Sequence, residues 1–125
     1  MVEQIAKIER TMLGYEDHGI FTVTLTLNYG EGGAQGAGMA ALDEPTHDDD
    51  GRFAGRVGTK MGHDYIIGII RACGVDSWEQ IKGRTIIALR EDGYHGAVIG
   101  IKPLPTEPGT PFIFASVFPR EATAA

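Results

Sequence analysis

The chain has 125 residues, of which 42% are hydrophobic and 22% are charged. This is ordinary globular composition at the commonest domain size, so we expect one domain over residues 1–120 and a loose tail over 121–125. Its 17 acidic and 11 basic residues give a formal net charge of -6. That charge disfavours duplex nucleic acid as a partner, because binding a duplex requires many basic side chains to neutralise phosphates.

The single cysteine, Cys73, excludes an internal disulfide and a cysteine-rich zinc site. Such cysteine usage indicates a reducing compartment, and we expect the protein to be cytoplasmic. No apolar run has the length needed to cross a bilayer, so no membrane partner is expected.

Two runs near the amino terminus show the alternating pattern of strands. The first covers residues 3–12. The second covers residues 21–29, where alternate apolar side chains face one way and threonines the other. Between the two runs, Gly14 to Gly19 has the glycines and the Asx-type side chain of a chain reversal. We therefore predict a β-hairpin with one buried face and one wet face.

A glycine-rich segment over residues 30–38 follows the second strand and is predicted to be a loop. It fits neither the Walker pattern nor a dinucleotide fingerprint. Its amides, a nearby tyrosine ring and a glutamine could nevertheless stack on and hydrogen-bond a nucleotide-like ligand. A purely structural loop is the alternative. The predicted ligand-binding residues are Tyr29, Gly33, Gln35, Gly36 and Gly38, and the three glycines are expected to take angles that a β-carbon would hinder or to leave room for the ligand.

The segment from Asp43 to Gly58 is polar and predicted to be an exposed excursion with a turn at residues 48–51. Thr59 then suits the N-cap of a helix, and Gly74 suits its end. The helical spacing of the apolar residues predicts a buried stripe made of Met61, Tyr65, Ile66, Ile69, Ile70 and Cys73.

Two glycines inside this helix, Gly62 and Gly68, each cost about 1 kcal/mol relative to alanine, and we therefore expect them to permit close packing. After the helix, the spacing of Ser77 and Gln80 predicts a capped helical turn over residues 77–82. Strands are predicted over residues 84–90, 97–101 and 112–118. Together these elements predict an α+β fold: a mainly antiparallel, curled or barrel-like sheet packed against one main helix at 59–73.

The reversal near the amino terminus is a second candidate site, because Glu16, Asp17 and His18 could bind a metal or move protons. Turns also collect such residues for backbone reasons. In the binding interpretation, Tyr15 and His18 are further ligand contacts. His47, His63 and His95 show no metal-ligand spacing, and Cys73 lies where the helix dipole opposes a thiolate. We therefore expect no catalytic residue, no metal and no cofactor.

Three stretches, residues 11–20, 29–43 and 74–83, resemble a family of small accessory proteins of tailed phages and prophages. The shared patterns are a Leu-Gly-x-Glu-Asp-His-Gly turn and a Tyr-Gly-Gly-x-x-Gln-Gly-x-Gly loop, from which Glu31 and Ala37 depart. The resemblance implies a setting in the host cytoplasm. There a small acidic protein without catalytic groups would antagonise host defence by blocking a defence protein or by sequestering a nucleotide-derived signal.

Two other functions remain open, a small metal-dependent hydrolase centred on Glu16, Asp17 and His18 and a structural or regulatory virion component. A homodimer is the expected assembly, because two-fold pairing is the commonest closed arrangement and a small sheet has exposed edges.

Overall fold

The computed structural model describes residues 1–92 and 96–118, except for the side chain of Asp17. The described strands and helix are β1 (Val2–Asp17), β2 (Ile20–Asn28), β3 (Ala34–Ala41), β4 (Asp43–His47), β5 (Phe53–Gly58), α1 (Lys60–Cys73), β6 (Thr85–Arg90), β7 (Val98–Lys102) and β8 (Phe112–Ile113). Six strands form an antiparallel sheet in the order β3-β2-β1-β6-β7-β8, while β4 and β5 form a separate ribbon. The predicted α+β class is confirmed.

The hairpin of β1 and β2 has a tighter turn than predicted. Asp17 pairs with Ile20, so only His18 and Gly19 lie between the strands. Both have positive φ angles, 53° and 75°, which is the geometry that lets a two-residue turn follow the twist of its strands. The predicted six-residue reversal from Gly14 was wrong, because the pairing with β2 carries β1 through that segment.

The core lies between the sheet and α1. Val23, Leu25 and Leu27 of β2 are fully buried, and Tyr65 and Ile69 of α1 are buried against the same core. This confirms the predicted buried face of β2.

The helix ends are those that the sequence predicted. The Thr59 hydroxyl accepts a hydrogen bond from the Gly62 amide at 2.9 Å, and Gly74 closes the helix in the left-handed conformation. Ile66 and Ile70 are half-buried and pack on the core. Met61 is 48% exposed, so its predicted place in the buried stripe was wrong.

The two helix glycines permit close packing, as predicted. A β-carbon on Gly62 would overlap the carbonyl oxygen of Leu42 and lie 2.8 Å from its carbonyl carbon. A β-carbon on Gly68 would lie 2.5 Å from the ring of Phe112. Neither position has room for a side chain.

Two predicted elements changed type. After a 3-10 turn at Gly30–Gly32, the glycine-rich segment becomes strand β3 and pairs with β2. The loop predicted for this segment was wrong. Its small residues have little strand propensity of their own, but pairing with β2 satisfies the hydrogen bonds of their backbone.

The last predicted strand, over residues 112–118, is correct only for Phe112 and Ile113. The chain then forms a 3-10 turn at Phe114–Ser116. This turn places the centre of the Phe114 ring 5.8 Å from the centre of the Tyr65 ring, so the two rings are in contact.

Other short elements follow the sequence prediction. The turn predicted at 77–82 is a 3-10 turn at Trp78–Gln80, in which Gln80 Oε1 accepts from the Ser77 amide at 3.1 Å. Strands β6 and β7 pair antiparallel. His95 and the predicted tail over 121–125 lie outside the described residues.

The ribbon of β4 and β5, residues 43–58, is the predicted exposed excursion, and we call it the arm. Its tip is the predicted turn, in which Asp48 Oδ1 accepts from the amides of Asp50 and Arg52, both at 2.9 Å. At its base, the Arg56 guanidinium lies 2.9 Å from the Asp43 carboxylate, which also accepts from the Phe21 amide at 3.2 Å. The ion pair therefore joins the two strands of the arm, and the hydrogen bond from Phe21 fixes the arm to the start of β2.

Acid is expected to loosen the arm. The hydrogen bond from Arg56 holds the pKa of the Asp43 carboxyl below its usual value. A carboxyl with a lowered folded-state pKa contributes its full stabilisation above the unfolded value of about 3.9 and loses it as pH falls through the folded value. Amide exchange protection of Thr46 and Gly55 should therefore fall below about pH 4. An Asp43→Asn variant should show weak protection already at neutral pH, and equal protection in both proteins at neutral pH would contradict this role.

Candidate functional site

The six-stranded sheet curls until one of its edges faces another strand, but it does not close into a barrel. Among the described residues, β3 is an edge of the sheet, and β8 pairs with Gly100 and Ile101 of β7 alone. Residues 96–99 are therefore left facing β3. We call the gap between β3 and residues 96–99 the seam.

The seam contains an apolar cavity of about 200 Å³, which we call the slot. Strand β3 supplies one wall, residues 97–99 the opposite wall, and aromatic rings from α1 and the 3-10 turn the floor. Its lining includes Gly38, Ala40, Tyr65, Ala97, Val98 and Phe114. An apolar cavity of about 150 Å³ already holds one benzene molecule. The slot therefore has the size for a single ring and is smaller than the roughly 300 to 1,000 Å³ of sites that enclose a drug-sized molecule.

One end of the seam is bridged by polar groups, which we call the polar cluster. The Tyr29 hydroxyl donates to Gln35 Oε1 at 2.8 Å, and Gln35 Nε2 donates to the Gly96 carbonyl at 3.3 Å. Arg90 Nε donates to the same carbonyl at 3.2 Å, and its guanidinium also donates to Gln4 Oε1. Because Gly96 precedes Ala97 of the slot, the polar cluster adjoins the apolar cavity.

The electrostatics of the polar cluster keep Tyr29 protonated. Burial raises the pKa of the Tyr29 hydroxyl, and the positive charge of Arg90 opposes this only in part. The Arg90 guanidinium lies 5.6 Å from the centre of the Tyr29 ring, within the range of a cation–π contact. One end of the seam thus presents a phenol donor and a guanidinium beside the amide of Gln35.

The structure brings Tyr29 and Gln35 together, as the binding hypothesis requires. Their polar groups are hydrogen-bonded to each other. The ring of Tyr29 also packs on the core and lies under Arg90. The open space of the seam therefore lies in the slot and not over the Tyr29 ring. Gln35 and Arg90 lie at the polar end of the seam, where both donate to the Gly96 carbonyl.

The three predicted glycines have different roles. Gly33 and Gly38 have positive φ angles, 86° and 67°, which confirms that a β-carbon would be hindered there. A β-carbon on Gly38 would also lie 3.1 Å from the Phe114 ring. Gly36 lies in regular strand, and a β-carbon added to it would have nothing within 4 Å. The predicted backbone hindrance was therefore wrong for Gly36, and its role in leaving room for a ligand stays a prediction.

Tyr15 and His18 lie at the far end of the hairpin. Tyr15 is opposite Phe21, seven residues along β2 from Asn28, and this spacing corresponds to about 23 Å. The Tyr15 side chain is 71% exposed and its ring is 5.3 Å from the Phe21 ring. The two sets of predicted ligand contacts therefore cannot surround one small molecule.

Sequence reasoning missed most residues of the site, among them Tyr65, Arg90, Ala97 and Phe114. Tyr65 was predicted only as a core residue, although its hydroxyl donates to the Gly38 carbonyl at 2.9 Å. The aromatic residues between 112 and 118 were a signal for a ring cluster rather than a strand. No pattern in the neighbouring sequence indicates that Arg90 or Ala97 belongs to a site, because the curl of the sheet brings them to β3 from a distant part of the chain.

Two other features bear on chemistry. In the described part of the chain, no three His, Cys, Asp or Glu side chains lie close enough to hold a metal ion. Burial raises the pKa of the Cys73 thiol to about 11, so the thiol stays protonated at neutral pH.

Within residues 1–92 and 96–118, no helix is both long and apolar enough to cross a membrane.

Comparisons with models of protein families, with curated proteins and with solved structures gave no match to this chain. What the site binds is therefore inferred from its own residues.

Proposed function

We propose that this protein is a non-catalytic binding protein whose slot and polar cluster hold a small, ring-bearing, nucleotide-like ligand. The observation that carries the proposal is the open seam, which joins a one-ring apolar cavity to hydrogen-bonding and cationic groups. Ligand sites typically combine apolar walls with a few placed polar groups. The base would enter the slot, and the ribose and phosphate would remain at its mouth.

The polar cluster suits the outer part of such a ligand. Gln35 offers an amide that can exchange its present partners for ligand atoms, and Arg90 adds positive charge to an otherwise acidic protein. Guanidinium groups match phosphate oxygens in geometry and charge. The slot is too small to enclose a whole dinucleotide, so most of the ligand would stay outside one copy of the chain.

The biological role that we propose follows from the phage resemblance. A binding protein of this kind, in the host cytoplasm, would antagonise host defence by sequestering a nucleotide-derived signal. Host cells that express the chain should then become more sensitive to phages that a nucleotide-signalling defence restricts. No gain in sensitivity across a panel of such defences would overturn this role.

Filling the slot should abolish binding without unfolding the protein. Ala97 is exposed at the mouth of the slot, so Ala97→Phe places a ring in the cavity at little cost to the core. Calorimetric titration with cyclic nucleotides and with ADP-ribose should show at least about a tenfold loss of affinity, equivalent to 1.4 kcal/mol. The melting temperature should change little.

Ala41→Phe is the matched control, since Ala41 is an exposed alanine on β3 that does not line the slot. It should bind as the wild type does. Heating the loaded protein should release the ligand intact, whereas hydrolysed ligand would instead support an enzyme. Equal affinity in the Ala97→Phe and Ala41→Phe variants would move the site away from the seam.

A further inference from the structure

The arm exposes a large aromatic side chain close to its tip. Phe53, the first residue of β5, is 65% exposed. It lies at a β-bulge, where the register between β4 and β5 shifts next to His47. The Asp43 and Arg56 ion pair joins the two strands at the base of the arm, so the Phe53 ring is displayed on a fixed ribbon. Aromatic side chains dominate the energetics of protein interfaces, so this ring is a candidate contact with another molecule.

Phe53 and the slot are complementary, but they do not meet within one chain. The slot accepts a single ring, and its floor contains the rings of Tyr65 and Phe114. Aromatic pairs gain about 0.5 to 1.5 kcal/mol beyond the burial of their area. Because Phe53 is mostly exposed, it does not fill the slot of its own chain.

We propose that the Phe53 side chain of one copy enters the slot of a second copy. The charges agree with this pairing, since the tip of the arm carries Asp48, Asp49 and Asp50 while Arg90 lies at the end of the slot. Each copy carries both an arm and a slot, so in a pair related by a two-fold axis each Phe53 would enter the other copy's slot.

The pairing regulates the proposed ligand site, and in this respect the inference rests on the proposed function. The slot holds one ring, so the ligand and the partner copy's Phe53 compete for it. Each arm buries one phenylalanine, about 150 to 250 Å² of side-chain surface, together with a few neighbouring residues. Interfaces below about 1,200 Å² in total are weak and transient. The dimer should therefore depend on concentration and dissociate when a ligand occupies the slot.

Complementation between two variants tests the pairing. Phe53→Ala removes the ring, and Ala97→Phe fills the slot, so sedimentation velocity should show each variant alone as a monomer. An equal mixture should form a one-to-one heterodimer at higher protein concentrations than the wild type needs, because it keeps one of the two contacts between a Phe53 ring and a slot. Tyr15→Ala, which removes an exposed ring elsewhere, should dimerise as the wild type does. A monomeric wild type, a dimeric Phe53→Ala variant or a mixture that associates no more than either variant alone at these higher concentrations would each overturn the proposal.

Ligand titration separates this proposal from the proposed function. At protein concentrations where the wild type is dimeric, Phe53→Ala should bind a cyclic nucleotide or ADP-ribose several-fold more tightly, because its slot is empty. Complementation without any ligand binding would sustain the pairing and overturn the ligand site. Ligand binding without complementation would do the reverse.

Discussion

Gly62→Ala is expected to destabilise the fold by about 2 kcal/mol or more, the scale of overpacking in a rigid core. The new methyl group would overlap the Leu42 carbonyl, which also accepts a hydrogen bond from the Thr59 hydroxyl at 3.1 Å. The β-carbon is bonded directly to the backbone of α1 and meets the backbone carbonyl of Leu42, so relief requires moving the start of α1 away from Leu42. The gain of about 1 kcal/mol in helix propensity is too small to offset this movement.

Urea unfolding followed by the fluorescence of Trp78 measures the effect. Gly36→Ala is the matched control, because Gly36 has nothing within 4 Å of the added carbon. That variant should retain wild-type stability within about half a kcal/mol, as is usual for surface substitutions. A Gly62→Ala protein as stable as the Gly36→Ala protein would show that α1 does not pack as described.

Ile69→Ala is expected to cost about 2 to 5 kcal/mol, the range for an emptied core position. Ile69 is fully buried in the core between α1 and the sheet. The cost should be at the upper end if the surrounding rings cannot collapse into the space.

Met61→Ala, in the same helix, provides the comparison. Met61 is 48% exposed, so its truncation should lower the free energy of unfolding far less. The two variants measured side by side in urea test which face of α1 is buried. A larger loss in Met61→Ala than in Ile69→Ala would reverse the assignment.

The sequence predicted the elements whose signals are local. The alternation of apolar residues along β2 and their helical spacing from Tyr65 to Ile70 each indicate the type of the element and which of its faces is buried. Caps and turns at Thr59, Gly74 and Asp48 are also local, since their hydrogen bonds join neighbouring residues.

Elements whose stability comes from distant partners were not predictable in this way. Strand β3 consists mostly of alanine and glycine and is a strand because it pairs with β2. Phe114 leaves the extended conformation because Tyr65 offers a better contact. In both cases tertiary packing overrides a weak local preference.

The candidate site was predicted in part for the same reason. Tyr29 and Gln35 were predicted because Tyr29 directly precedes the glycine-rich segment and Gln35 lies within it. Arg90 and Ala97 belong to the other side of the seam, and no feature of their own segments indicates that β3 lies opposite.

The strand order has a consequence for how the chain folds. The β1–β2 hairpin is local, but β1 must also pair with β6, and the register joins Val2 to Arg90. Contacts between residues so far apart in sequence slow folding, because closing the long loop between them costs conformational entropy before the contacts can stabilise the chain. The hairpin and α1 can therefore form early, whereas the two halves of the sheet can join only after most of the chain has been synthesised. Until then the start of β1, residues 2–6, has no strand beside it, which exposes it to pairing with another nascent chain.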